Sequence, residues 1–119
     1  MGGLSETDII KITSYFKNRK VDISFLYCVA KYPSSSNELN LSFFNYLKKK
    51  YGEKIIGFST HEDPEIETSP AVAHGAGVRI FEKHVGLQTR EIKLNKYSVS
   101  PDKLKKWLDN LYISIEMWG

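Results

Sequence analysis

Apolar residues along this chain alternate between two arrangements: the three-to-four residue spacing of a helix and the short unbroken run of a strand covered on both faces. Ile9, Ile10, Ile12, Tyr15 and Phe16 give an apolar helical face behind a capping Ser5 or Thr7, with Asp8 near the positive end, which predicts a helix over Glu6–Asn18. Ile23 to Ala30 is β-branched, aromatic and almost continuously apolar, and reads as a buried strand. It ends at Lys31-Tyr32-Pro33, before a loop of serines. Asn37 is placed to cap a second helix through Leu39, Leu41, Phe43, Phe44 and Leu47, and Gly52 to stop it. A second strand follows from Lys54 to Phe58. Pro64 sits near the first position of a third helix, which Pro70 shortens or kinks and His74-Gly75-Ala76-Gly77 ends. The third strand is Val78 to Phe81, and a polar loop runs from Gly86 to Ser100. Pro101 opens a last helix through Leu104, Trp107, Leu108 and Leu111, while Ile113 to Gly119 is apolar enough to pack in a form left open.

Helix, strand, helix, strand, helix, strand, helix is the order of an α/β fold with parallel strands and helical crossovers. Three strands cannot close a barrel, and both sheet edges would lie open, which natural proteins normally avoid. The expectation is therefore one domain over residues 1–119 that forms part of a larger fold. His61 and His84 follow the second and third strands and stand 23 residues apart, about one strand–helix–strand repeat. On neighbouring parallel strands they would leave the sheet at the same carboxyl edge, where α/β folds keep their sites. Two imidazoles there can share a divalent metal.

Composition narrows the classes of partner. The chain has 119 residues, enough to bury one real core, and its 41% hydrophobic and 26% charged content is that of an ordinary globular protein. A net charge of +3 is too mild to argue for nucleic acid, and the lysine runs at 48–50 and 103–106 fall on helix-like segments as solvated faces. A lone Cys28 excludes an internal disulfide and suits a reducing cytoplasm. No stretch approaches the roughly 20 apolar residues of a membrane span, and Met1 to Glu6 lacks the apolar core of a signal peptide.

Tyr27-Cys28-Val29-Ala30-Lys31-Tyr32-Pro33, Gly57-Phe58-Ser59-Thr60-His61, Gly75 to His84 and Ser98-Val99-Ser100-Pro101-Asp102 resemble, in order and spacing, the N-acetylneuraminate (sialic acid) synthase family. The resemblance covers roughly Gly2 to Leu111, and the Glu82-Lys83-His84 strand end taken with Ser59 and His61 is its most specific part. It implies a partial TIM (β/α)8 barrel: the last three strand–helix units plus a preceding helix, about the carboxyl third of the catalytic domain. It also implies condensation of phosphoenolpyruvate with N-acetylmannosamine or a related amino sugar, a divalent metal such as manganese or magnesium, and a homo-oligomer. Matched position by position, His61 and His84 are the metal ligands, Ser59 a phosphoenolpyruvate contact and Tyr32 a wall of the sugar pocket. The family's glutamate and lysines that grip phosphoenolpyruvate lie on strands before this stretch. A fragment of this kind is expected to be inactive alone, or to associate with the missing barrel strands.

The chain departs from the family pattern at three places. Thr60 stands where an aspartate is usual, Ala30 where an asparagine or serine is frequent, and Asn95-Lys96-Tyr97-Ser98 where a Gly-Pro-Asp run bears an acidic sugar contact. The resemblance thus makes Asn95 the candidate at the acceptor sugar. His74 reads as a structural residue at a helix carboxyl end, and Cys28 as a small buried hydrophobe. Glu62 and Asp63 precede Pro64, and a place as first-turn dipole partners of the third helix is as open to them as a site role. Lys83 faces away from His84 by strand alternation, which leaves open a helix-facing ion pair or a site role. A different class of reading also stands: a non-catalytic small α/β module or remnant that acts by associating with other chains through its open edges.

Overall fold

The computed structural model describes all 119 residues. Helix α1 spans Glu6–Asn18 as its pattern predicts, and its start is fixed reciprocally: Asp8 N–H donates to Ser5 Oγ (3.2 Å), while Ser5 N–H donates to the Asp8 carboxylate (2.9 Å). Strand β1 (Phe25–Cys28), helix α2 (Leu41–Tyr51), strand β2 (Ile55–Thr60), helix α3 (Ser69–Gly75), strand β3 (Ile80–Lys83) and helix α4 (Pro101–Trp118) follow. The strands lie in the order β1-β2-β3, both pairs parallel, with Cys28 beside Ser59 and Ser59 beside Glu82. The α/β class with parallel strands is therefore observed, in an unclosed sheet.

Sequential parallel strands joined by right-handed crossovers bring every crossover helix to the same face. Tyr27, Phe58 and Phe81 occupy that face. Tyr27 stacks on Phe58 (5.9 Å) and Phe81 meets Trp107 of α4 edge-on (5.6 Å). Phe44 and Leu47 of α2, Ala73 of α3 and Ile9 of α1 complete the same core. Cys28, Ser59, His61, Ile80, Glu82 and His84 alternate with these residues onto the opposite face. There Ile80, Glu82 and His84 are exposed. No helix is long and apolar enough to cross a membrane.

Several boundaries differ from the pattern reading, each for a local reason. Asn37 does not cap α2. It lies in a 3-10 turn, Ser36–Glu38, which Ser35 and Glu38 cap reciprocally, and α2 starts after Asn40, whose φ is +43°. Gly52, with φ +64°, ends α2 as expected. Helix α3 opens at Ser69 rather than Pro64, because Pro70 occupies its first turn, where a missing N–H costs nothing. Glu62 and Asp63 are consequently not first-turn residues. Strand β2 runs two residues beyond Phe58, and β3 begins two beyond Val78. The apolar tail continues α4 to Trp118.

Candidate functional site

The register of β2 against β3 sets Ser59 opposite Glu82, so two residues further on His61 and His84 emerge side by side. Two short extensions hold these strand ends. Ser34 N–H donates to the His61 carbonyl (2.9 Å), and Asp63 N–H to the Ser34 carbonyl (2.9 Å). Val99 N–H donates to the His84 carbonyl (2.9 Å), and Gly86 N–H to the Val99 carbonyl (3.0 Å). The serine loop and the segment before α4 thus splint both histidines from either side.

His61 Nε2 lies 3.2 Å from His84 Nε2. Two nitrogens that each ligate one ion at about 2.1 Å stand roughly this far apart, so the pair fits two neighbouring positions on a single divalent metal. His61 is 7% exposed. Burial, reinforced by the neighbouring His84, pushes its pKa below 6.5 against the opposing pull of Glu82 and Glu62, which favours the neutral ring a metal requires. No third His, Cys, Asp or Glu joins the pair in a metal-holding group. A metal held here would find two ligands in the chain, and the remaining positions would fall to water or to oxygen atoms of a substrate.

Two tyrosines wall the histidines. Tyr32 meets His61 edge-on at 4.4 Å and Tyr97 at 5.3 Å, while Tyr97 lies 5.1 Å from the His84 ring at nearly a right angle. Tyr32 therefore stands beside the paired imidazoles. Asn95 is not against the histidines. Its side-chain oxygen accepts from Tyr97 N–H (3.1 Å) and Ser98 N–H (2.7 Å), forming the turn that delivers Tyr97 to His84. Ser59 Oγ donates to Glu82 Oε1 (2.9 Å) on the same face, one step below the histidines.

Three further residues acquire roles that sequence reading did not give them. Tyr97 was visible only as part of a loop. Cys28, read as a small hydrophobe, has its sulfur 3.5 Å from His61 Nδ1. Glu62, read as a helix partner, is fully buried behind the histidines, where it accepts from Ser69 Oγ (2.5 Å) and Trp107 Nε1 (3.1 Å) and pairs with Lys83 Nζ (3.1 Å). The helix-facing ion pair is the alternative that holds for Lys83. His74 is structural as read: it is buried between α3 and α4, with Nδ1 2.8 Å from Ser114 Oγ.

Parallel strands with their helices on one face, and paired imidazoles at the carboxyl edge, define an α/β chain whose site lies where such sheets concentrate chemistry. The NeuB family model matches residues 1–119, and the chain belongs to that family. It is 32% identical over 110 residues to a pseudaminic acid synthase of Campylobacter jejuni, covering 91% of this chain and 31% of that protein. The crystal structure of the spore coat polysaccharide biosynthesis protein SpsE from Bacillus subtilis matches with a TM-score of 0.84 and 26% identity, over 98% of this chain and 33% of that one. The N-acetylneuraminic acid (sialic acid) synthetase from Leptospira borgpetersenii, in complex with citrate, matches with a TM-score of 0.82 and 28% identity, over 99% and 41%. The chain spans between about a third and two fifths of the length of these relatives.

Proposed function

We propose that this chain supplies the metal-binding carboxyl edge of a sialic- or pseudaminic-acid-type synthase, which joins phosphoenolpyruvate to an N-acetylated amino sugar. In this reading β1 to β3 form an arc of a (β/α)8 barrel, and the face bearing Ser59, His61, Glu82 and His84 looks into its lumen. The observation that carries the proposal is the 3.2 Å approach of His61 Nε2 and His84 Nε2 on adjacent parallel strands. The family membership supports the chemistry attached to it.

His61 and His84 would hold a manganese or magnesium ion through Nε2. Such an ion would supply Lewis-acid chemistry at an open-chain sugar carbonyl. Tyr32 and Tyr97 present ring faces and hydroxyls to the acceptor, a combination suited to a sugar with both apolar and hydroxyl surface. Ser59, held by Glu82, offers a hydroxyl on the lumen face for the phosphoenolpyruvate end. The 119 residues alone should turn over little or no substrate, because the basic residues that grip phosphoenolpyruvate belong to other strands of the barrel.

Isothermal titration of the chain with manganese tests the proposal. Saturable binding of one ion, lost in both His61→Ala and His84→Ala, is expected. Binding that survives both substitutions would refute the site.

A further inference from the structure

We propose that Cys28 is a positioning residue for His61, whose thiol sulfur accepts the Nδ1 proton and so keeps the Nε2 lone pair free for metal. This rests on the metal reading above, and it asks what decides which of the two ring nitrogens carries the proton. A neutral imidazole has a single N–H, and a ring protonated at Nε2 has nothing to offer an ion there. Metal-ligating histidines usually fix the productive tautomer by donating from the other nitrogen to a neighbouring acceptor.

His61 Nδ1 has one side-chain neighbour within hydrogen-bonding reach, Cys28 Sγ at 3.5 Å. The thiol cannot serve as a third ligand of the same ion, because it faces the nitrogen on the far side of the ring from His84. Its placement follows from the sheet. Cys28 pairs with Ser59 across β1 and β2, so it shares the histidine face and reaches up to the ring two residues beyond Ser59. The residue behind the thiol is a glycine. A Cβ at Gly2 would come within 3.0 Å of Sγ and 3.2 Å of Ala30 Cβ, so only a glycine leaves the sulfur its space there. The lone cysteine thereby gains a role that neither disulfide formation nor nucleophilic chemistry explains.

Two measurements on the 119-residue chain decide the matter. Long-range proton–nitrogen correlation NMR of the metal-free, nitrogen-15-labelled protein reads the His61 tautomer directly. The wild type should carry the proton on Nδ1, and Cys28→Ala should shift the population toward Nε2. In manganese titrations Cys28→Ala should weaken binding by about 10-fold or more. Cys28→Ser, whose hydroxyl is also an acceptor, should recover part of the loss, while the metal-free melting temperature stays close to wild type in both variants. A wild-type His61 protonated on Nε2, or a Cys28→Ala protein that binds manganese as tightly as wild type, would overturn the assignment. Failure of the wild type to bind manganese at all would overturn the metal reading instead. The tautomer comparison then judges Cys28 by itself: a change on substitution upholds it, and no change overturns it.

Discussion

Lys83 Nζ lies 3.1 Å from Glu62 Oε2 in a pair whose side chains are 5% and 0% exposed, and each partner adjoins one of the site histidines in sequence. Strand alternation turns the pair to the helix face and the histidines to the opposite one. The ion pair therefore ties β2 and β3 together from behind at the level where the two imidazoles meet in front. Ser69 and Trp107 add hydrogen bonds to Glu62 from α3 and α4, so the strand ends are bolted to the helical layer.

Breaking this pair should be costly, because it leaves a buried charge uncompensated. Glu62→Gln or Lys83→Met should lower unfolding stability by about 3–5 kcal/mol in chemical denaturation. Replacing both with apolar residues of similar volume should cost much less than the two single changes added together. Equal and additive losses would show that the two groups do not interact.

The same carboxylate gives a signed pH dependence. Burial raises the Glu62 pKa, but the Ser69 hydroxyl and the Lys83 ammonium outweigh it and leave the carboxyl below 4.5. A carboxyl depressed on folding adds stability that is present above its unfolded value and lost as pH falls through its folded value. Wild-type stability should thus decline as pH drops below about 4.5. Glu62→Gln should show a shallower decline over that window, and an identical slope in the two proteins would contradict the depressed value.

Gly57 marks where the sheet tolerates no side chain. A Cβ there would meet Leu26 Cδ2 at 2.3 Å and the Ile80 carbonyl oxygen at 2.5 Å, the latter a backbone atom of the neighbouring strand. Gly57→Ala should wedge β2 from β3 and cost about 1–3 kcal/mol or more, as overpacking does. It should also weaken metal binding, since the wedge lies below the histidines. Unchanged stability would mean that the two strands part easily.

The Asn95 turn separates two roles for one residue. If the side chain acts by shaping the turn, Asn95→Asp keeps the accepting oxygen and should preserve the position of Tyr97, whereas Asn95→Ala should lose it at a cost of about 1 kcal/mol. Near-ultraviolet circular dichroism of the tyrosine cluster would report the difference. Equal spectra for the two variants would leave the turn role without support.

Element order, parallel pairing and the His61–His84 juxtaposition were legible in the sequence because they follow from local apolar patterning and from one repeat length. Glu62 misled because an acidic residue before a proline resembles a helix start, yet β2 continues past Phe58 and carries Glu62 inward beneath Trp107, which is 45 residues away in the chain. Tyr97 and Cys28 were hidden for a related reason. Their contacts depend on how a loop and an adjoining strand fold back onto the carboxyl edge, and no local spacing encodes that.

The central claim is that two imidazole nitrogens from adjacent strands grip one ion. Pulsed electron paramagnetic resonance of the manganese-loaded chain, with nitrogen-15 in its histidines, counts those nitrogens. The account predicts two in the wild type and no bound-manganese histidine coupling in His61→Ala or His84→Ala, which lose the ion. A wild-type spectrum with no coupled histidine nitrogen, or with only one, would contradict it.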